Sequence, residues 1–256
     1  MKRSRRTWLV LALLAAAVWF GNDALLTFAE SPEPSVCLGE ASLGSLQQGK
    51  RMPSGGSNWR TYSRLGSLLG RTHVHQDTRD ILLQAFATLE ETQPGRSFVV
   101  AETGWPRGGT FAPHKTHQAG GSVDLHLPLM DGDGWPARFP SNPLTLWGYC
   151  MSFEPDGSLY GTRWEGGGTP LCADVSWGLD WRVDFEATAA MLLALSQAAK
   201  DHGARIERIH LENSFRTELL KAEPRLLLLR TRFSDSEELW VRHDEHLHVD
   251  FDLRCD

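Results

Sequence analysis

The chain has 256 residues, 41% hydrophobic and 23% charged, which is ordinary globular composition and enough for one sizeable core. The formal net charge is -6, and beyond the first few residues there is no basic run. Nucleic acid is therefore excluded as an expected partner, because phosphate binding draws on clustered Lys and Arg.

The N-terminus reads as an export segment. Lys2, Arg3, Arg5 and Arg6 form a positive head, and residues 8–20 are an apolar run. A run of about a dozen residues is short for a membrane span and right for a signal. SRRTWLV resembles a twin-arginine signal through Ser4, Arg5, Arg6 and Trp8, although a basic head also serves the general route. Thr27-Phe28-Ala29 is a poor small-residue cleavage site, so residues 1–29 are expected to be a signal peptide or an N-terminal anchor, the only part to meet a membrane. Residues 30–256 form the expected domain, exported to the periplasm. Losing four positive charges and Asp23 takes the net charge from -6 to -9.

His73 and His75 in GRTHVHQD precede a helix and have no partner motif nearby, so a surface or site-rim role is expected. Residues 78–91 predict a helix, with Ile81, Leu82, Ala85, Phe86 and Leu89 near the 3.6 period and Asp77 placed to cap it. Strands are predicted over 97–101, 123–127, 206–211 and 247–253, and a second helix over 185–200. Residues 130–181 are rich in Gly, Pro and Trp without clear periodicity and read as long loops. Within them Asp131-Gly-Asp-Gly reads as a turn. Trp147, Trp164, Trp177 and Trp181 can stack on a glycan or peptide, with core packing the plainer role for most of them. The expected fold is α+β, a small antiparallel sheet flanked by helices and carrying the functional residues. Four cysteines fit an oxidising compartment. The simplest of three possible pairings joins Cys37 to Cys255 and Cys150 to Cys172.

Two stretches carry chemistry. PHKTHQAGGSVDLHLP, residues 113–128, holds His114, His117, Asp124 and His126, with Gly120 and Gly121 letting the chain turn into the 123–127 strand. WVRHDEHLHVDFDLRCD ends the chain. Strand alternation puts His246, His248, Asp250 and Asp252 on one face and Leu247, Val249 and Phe251 on the other, so the apolar trio turns inward and the polar face looks into solvent or a cleft. A catalytic zinc takes three protein ligands from His and carboxylate. His117, Asp124 and one histidine of the 246/248 pair supply them.

GWPRGGTFAPHKTHQAGGSVDLHLP resembles the core segment of the penicillin-insensitive murein endopeptidases, and the terminal HLHV resembles their second signature. Both are also similar to the wider group of lysostaphin-type, D-Ala-D-Ala-cleaving and hedgehog-like zinc folds. The likeness covers residues 104–128 and 246–249. It implies His117, Asp124 and His248 as zinc ligands, His246 as catalytic partner and His114 lining the site. It also implies peptidoglycan as partner and hydrolysis of its cross-links or stem peptides at bonds flanked by D-amino acids. The chain departs from the family at Gly121-Ser122, where a Leu-Asp pair is usual, and at His126, where an apolar residue is usual.

Such a site hydrolyses peptides with a zinc-activated water of pKa about 7, helped by a residue that moves protons to the leaving amine. His246 is expected in that role, since it neighbours a ligand on one strand face, and His114 is second. Arg107 and His126 are candidates for contacts to substrate, Arg107 because a guanidinium matches a carboxylate bidentately. A different class of reading is a peptidoglycan-binding protein that keeps zinc without turnover, against which an intact His246 argues.

Overall fold

The computed structural model describes residues 5–139, 149, 151–161, 180–234 and 243–256. The central element is a five-stranded sheet in the order Arg205–His210, His246–Asp252, Ser122–His126, Phe98–Val100, Trp59–Thr61. Neighbours among the first four strands are antiparallel, as expected. The edge strand Trp59–Thr61 runs parallel to Phe98–Val100, so the sheet is mixed.

Alternation sorts the side chains. Val123, Leu125, Leu247 and Val249 are fully buried in the main core together with Ile81, Leu82, Phe86 and Leu89 of the helix Gln76–Thr92 and Met191, Leu192 and Leu195 of the helix Phe185–Asp201. These two long helices pack against each other, and both match the predicted periodicity within two residues at each end. The cap of the first differs from expectation. His75, not Asp77, is the N-cap, its Nδ1 accepting from the Asp77 amide at 3.2 Å, while Asp77 lies in the first turn, where a carboxylate favours the helix dipole. Asp184 caps the second helix by accepting from the Ala187 amide at 2.9 Å, and its other oxygen holds Arg96 at 2.6 Å.

The described part of 130–181 holds short strands that composition did not reveal. Leu129–Met130 pairs with Pro136–Ala137 and with Arg182–Val183, and Ser152–Phe153 pairs with Leu159–Gly161. Asp131 folds a turn, accepting from the Asp133 and Trp135 amides. Trp181 packs partly buried against the core, whereas Trp147, Trp164, Trp177 and the expected Cys150–Cys172 pair lie outside the described residues. At the N-terminus, the helices Arg5–Phe20 and Asn22–Ala29 precede the domain, and among the described residues no helix is long and apolar enough to cross a membrane. Asp23 contacts Arg51 at 2.5 Å and Glu30 contacts Arg79 at 2.8 Å, tying the end of this segment to the body.

Cys37 and Cys255 form a disulfide, as the simplest pairing predicted. It joins the N-terminal hairpin Val36–Glu40/Leu43–Gln47 to the residues just beyond the last strand, across 218 positions of sequence. Closing so long a loop restrains the unfolded chain most. Replacing both cysteines by serine is therefore expected to lower unfolding stability by about 2–4 kcal/mol, read from urea denaturation with the disulfide otherwise intact as reference. An unchanged midpoint would show that the bond restrains nothing.

Candidate metal centre

The register of the two central strands assembles the site. His246 stands opposite His126, His248 opposite Asp124 and Asp250 opposite Ser122, with all six on the face away from the helices. Arg205–His210 adds His210 opposite His248. This face is not open to solvent: His246, His248 and Asp250 are 2–4% exposed. The loop 102–119 covers it, with Phe111 fully buried and its ring 5.3 Å from His114 and 5.7 Å from His117.

The loop returns to the strand through two unusual backbone positions. Gly120 has φ +82, and a Cβ there would meet the His75 amide nitrogen at 2.7 Å, so only glycine makes the turn predicted for it. His117 has φ +68, a conformation few non-glycine residues adopt and one that clusters at functional sites.

Asp124 is the hub. Its Oδ2 accepts from the Tyr149 hydroxyl at 2.6 Å, its Oδ1 lies 2.7 Å from His248 Nδ1 and 3.3 Å from His117 Nε2, and Oδ2 lies 3.4 Å from His114 Nδ1. Each histidine is oriented from behind. His117 donates from Nδ1 to the Thr103 carbonyl at 3.0 Å, and His114 donates from Nε2 to Glu102 at 2.7 Å. Glu102 is fully buried and held by Arg71 at 2.5 Å and by Tyr62. With its proton assigned to Nδ1 by the Thr103 carbonyl, His117 presents a lone pair at Nε2. That nitrogen faces the carboxylate of Asp124, another acceptor, and has no hydrogen-bond partner, while His114 Nδ1 approaches the same carboxylate at its other oxygen. Buried acceptors turned on one another at hydrogen-bond range repel unless a proton or a cation lies among them. Burial pushes His117 down, so it carries no extra proton at neutral pH. The donor set thus fits a cation.

Burial raises the Asp124 carboxyl, but positive charge and N–H donation at the positions of His117, His248 and His114 more than offset this and hold it well below the usual carboxylate range, so the carboxylate stays ionised where protons or a cation stand among the rings. Burial lowers His248, yet Asp250 and Asp124 outweigh it and raise its pKa to about 10, so without a metal the cluster keeps a proton there. His246 is pushed well down by burial and by His243, and His126 falls to about 3 by burial; both are neutral.

Among the described residues two groups have ligand atoms all within 4.8 Å of one another: His114, His117 and Asp124, and His210, His248 and Asp250. Of the sequence-derived ligands, His117 and Asp124 fall in the first group, with His114 as its third member, whereas His248 falls in the second and touches the first through Asp124 at 2.7 Å. His114, expected beside the site, stands among the groups able to hold an ion. His246 lies on the same face, its ring 4.5 Å from Tyr149, and His126 stacks on Phe139 at 3.8 Å. Arg107 is exposed and outside this cluster, its carbonyl accepting from the Leu46 amide. His73 and His75 bond to Gly70 and Ser35 and belong to neither group. Sequence reasoning missed Glu102 and Tyr149. Neither lies in a motif, and Tyr149 comes from a stretch with no periodicity. No protein-family model matches the chain, and no curated protein matches it significantly.

Proposed function

We propose that the chain is an exported zinc metallopeptidase that hydrolyses peptide cross-links or stem peptides of peptidoglycan at bonds flanked by D-amino acids. The observation that carries the reading is the convergence of His114 and His117, oriented from behind by Glu102 and the Thr103 carbonyl, on Asp124, joined by His248, within the segments that resemble murein endopeptidases. The Cys37–Cys255 disulfide supports an oxidising compartment.

His117, Asp124 and His248, with His114, would hold the ion. When bound, zinc supplies Lewis acidity at the scissile carbonyl and lowers the pKa of its water to about 7. The chain's own residues do the rest. Glu102, the Thr103 carbonyl and the strand pairing keep the donors in place. Tyr149 donates to Asp124 and closes one side. Neutral His246 has a buried Nδ1 without a partner, an acceptor free to relay a proton to the leaving amine, and because burial disfavours its protonated form it would pass that proton on rather than keep it.

The test is hydrolysis of defined muropeptide dimers, with products read by mass spectrometry. His246→Ala is expected to keep its metal and fold but lose roughly 100-fold or more in turnover, the usual scale for a general acid or base. Its sedimentation with insoluble peptidoglycan should change little, because the lost group acts in the transition state. Intact dimers from metal-loaded wild type that still sediments with peptidoglycan would replace the enzyme with a binding protein.

A further inference from the structure

We propose that Asp250 is a positioning residue of the metal centre: it holds the His248 proton on Nε2, which leaves Nδ1 to face the metal, and Ser122 holds Asp250 in turn. The inference rests on the metal reading above.

The strand register builds the arrangement without loops. On the His246–Asp252 strand, His248 and Asp250 are two residues apart and share a face, and Ser122 lies directly opposite Asp250. Asp250 Oδ1 accepts from the Ser122 hydroxyl at 2.6 Å and from His248 Nε2 at 2.8 Å, while the other His248 nitrogen lies 2.7 Å from Asp124. Thr116 Oγ1 is also near Nε2, at 3.4 Å. Asp250 is 2% exposed, so the contact is not diluted by water. A ligating imidazole whose far N–H meets a carboxylate is fixed in tautomer and ring angle and is a more basic ligand. Asp250 stands to His248 as Glu102 stands to His114.

The same atoms admit a rival reading, a second cation held by His210, His248 and Asp250, with His210 Nδ1 and Asp250 Oδ2 lacking hydrogen-bond partners. Two features argue against it. His248 would have to give up its last ring proton to serve two ions at once. Arg208, opposite Asp250 in the register, brings its guanidinium to 4.0 Å from Oδ2 and supplies positive charge where the second ion would.

Zinc content of the full chain, its zinc dissociation constant by chelator competition, and the visible spectrum after cobalt substitution decide between them. Wild type is expected to hold one ion, and Asp250→Ala to bind it 10- to 100-fold more weakly, roughly the range for losing such a partner, with shifted cobalt bands. Asp250→Asn keeps an acceptor oxygen but no charge and should fall between. Ser122→Ala, the mildest change, should shift affinity in the same direction and keeps the test available if Asp250→Ala does not fold. Wild-type affinity and an unshifted cobalt spectrum in the Asp250 variants would overturn the inference alone. So would a second ion in wild type that disappears in His210→Ala, which would make Asp250 a ligand. A wild type that binds no metal would overturn the metal reading itself.

Discussion

Replacing Asp124 with alanine is expected to strip the metal from the protein and to destabilise what remains. The carboxylate is the meeting point of Tyr149, His248, His117 and His114, at 2.6, 2.7, 3.3 and 3.4 Å. Its removal leaves a half-buried tyrosine hydroxyl without its acceptor and His248 with Asp250 as its remaining carboxylate partner. Removing one partner of a buried ion pair typically costs 3–5 kcal/mol, so the metal-free variant should unfold at clearly lower urea than metal-free wild type. Asp124→Asn, which keeps the shape, should lose the metal with a smaller loss of stability. Zinc content by elemental analysis and urea denaturation give the two readouts. Zinc retained at one ion per chain in Asp124→Ala would place the site elsewhere.

Acid is expected to begin destabilising the protein above the pH at which its carboxylates protonate. His126 is 1% exposed, stacked on Phe139, with neither ring nitrogen hydrogen-bonded, and burial lowers its pKa to about 3. An unfolded histidine titrates near 6.5. Between those values the unfolded chain holds a proton that the folded one refuses. Stability is therefore complete above about 6.5 and falls as pH drops toward about 3. For His126 the full loss is on the order of 5 kcal/mol. His210, also lowered to about 3 by burial and then by His248, adds in the same direction. A metal ion nearby would repel the protonated forms and keep the sign. His248 has the opposite sign in the metal-free protein. Its contribution is present below about 6.5 and is lost as pH rises through about 10. Urea unfolding at pH 7, 5 and 4 should show stability falling on the acid side, and His126→Leu, which cannot titrate, should flatten that fall. Parallel pH dependences of variant and wild type would show that His126 is not buried neutral.

What the sequence discloses here follows from periodicity. The terminal strand alternates His246, His248 and Asp250 with Leu247, Val249 and Phe251, and a two-residue repeat is enough to assign its faces before any partner is known. His117 and Asp124 were legible because a glycine pair and a short strand bring them together locally. The covering of that face was not legible. Phe111, Glu102 and Tyr149 reach the cluster through loops whose paths depend on tertiary contacts; the amides of Met151 and Phe153, for example, bond to the carboxylates of Glu245 and Asp244. The parallel edge strand Trp59–Thr61 is only three residues long, too short for a pattern. The cap at His75 was missed because aspartate is the commoner cap, whereas here the preceding histidine offers its ring nitrogen first.

If the proposed function holds, the Asp124 cluster binds one ion and that ion is needed to cut peptidoglycan peptides. The most direct test is to strip the purified protein with a chelator, return zinc in steps, and measure cleavage of a defined muropeptide dimer against zinc bound per chain. The stripped protein is expected to cleave nothing, and the rate to rise in proportion to occupancy, levelling at one ion per chain. Cleavage that survives complete removal of metal, or full occupancy with the dimer left intact, would contradict the proposed function.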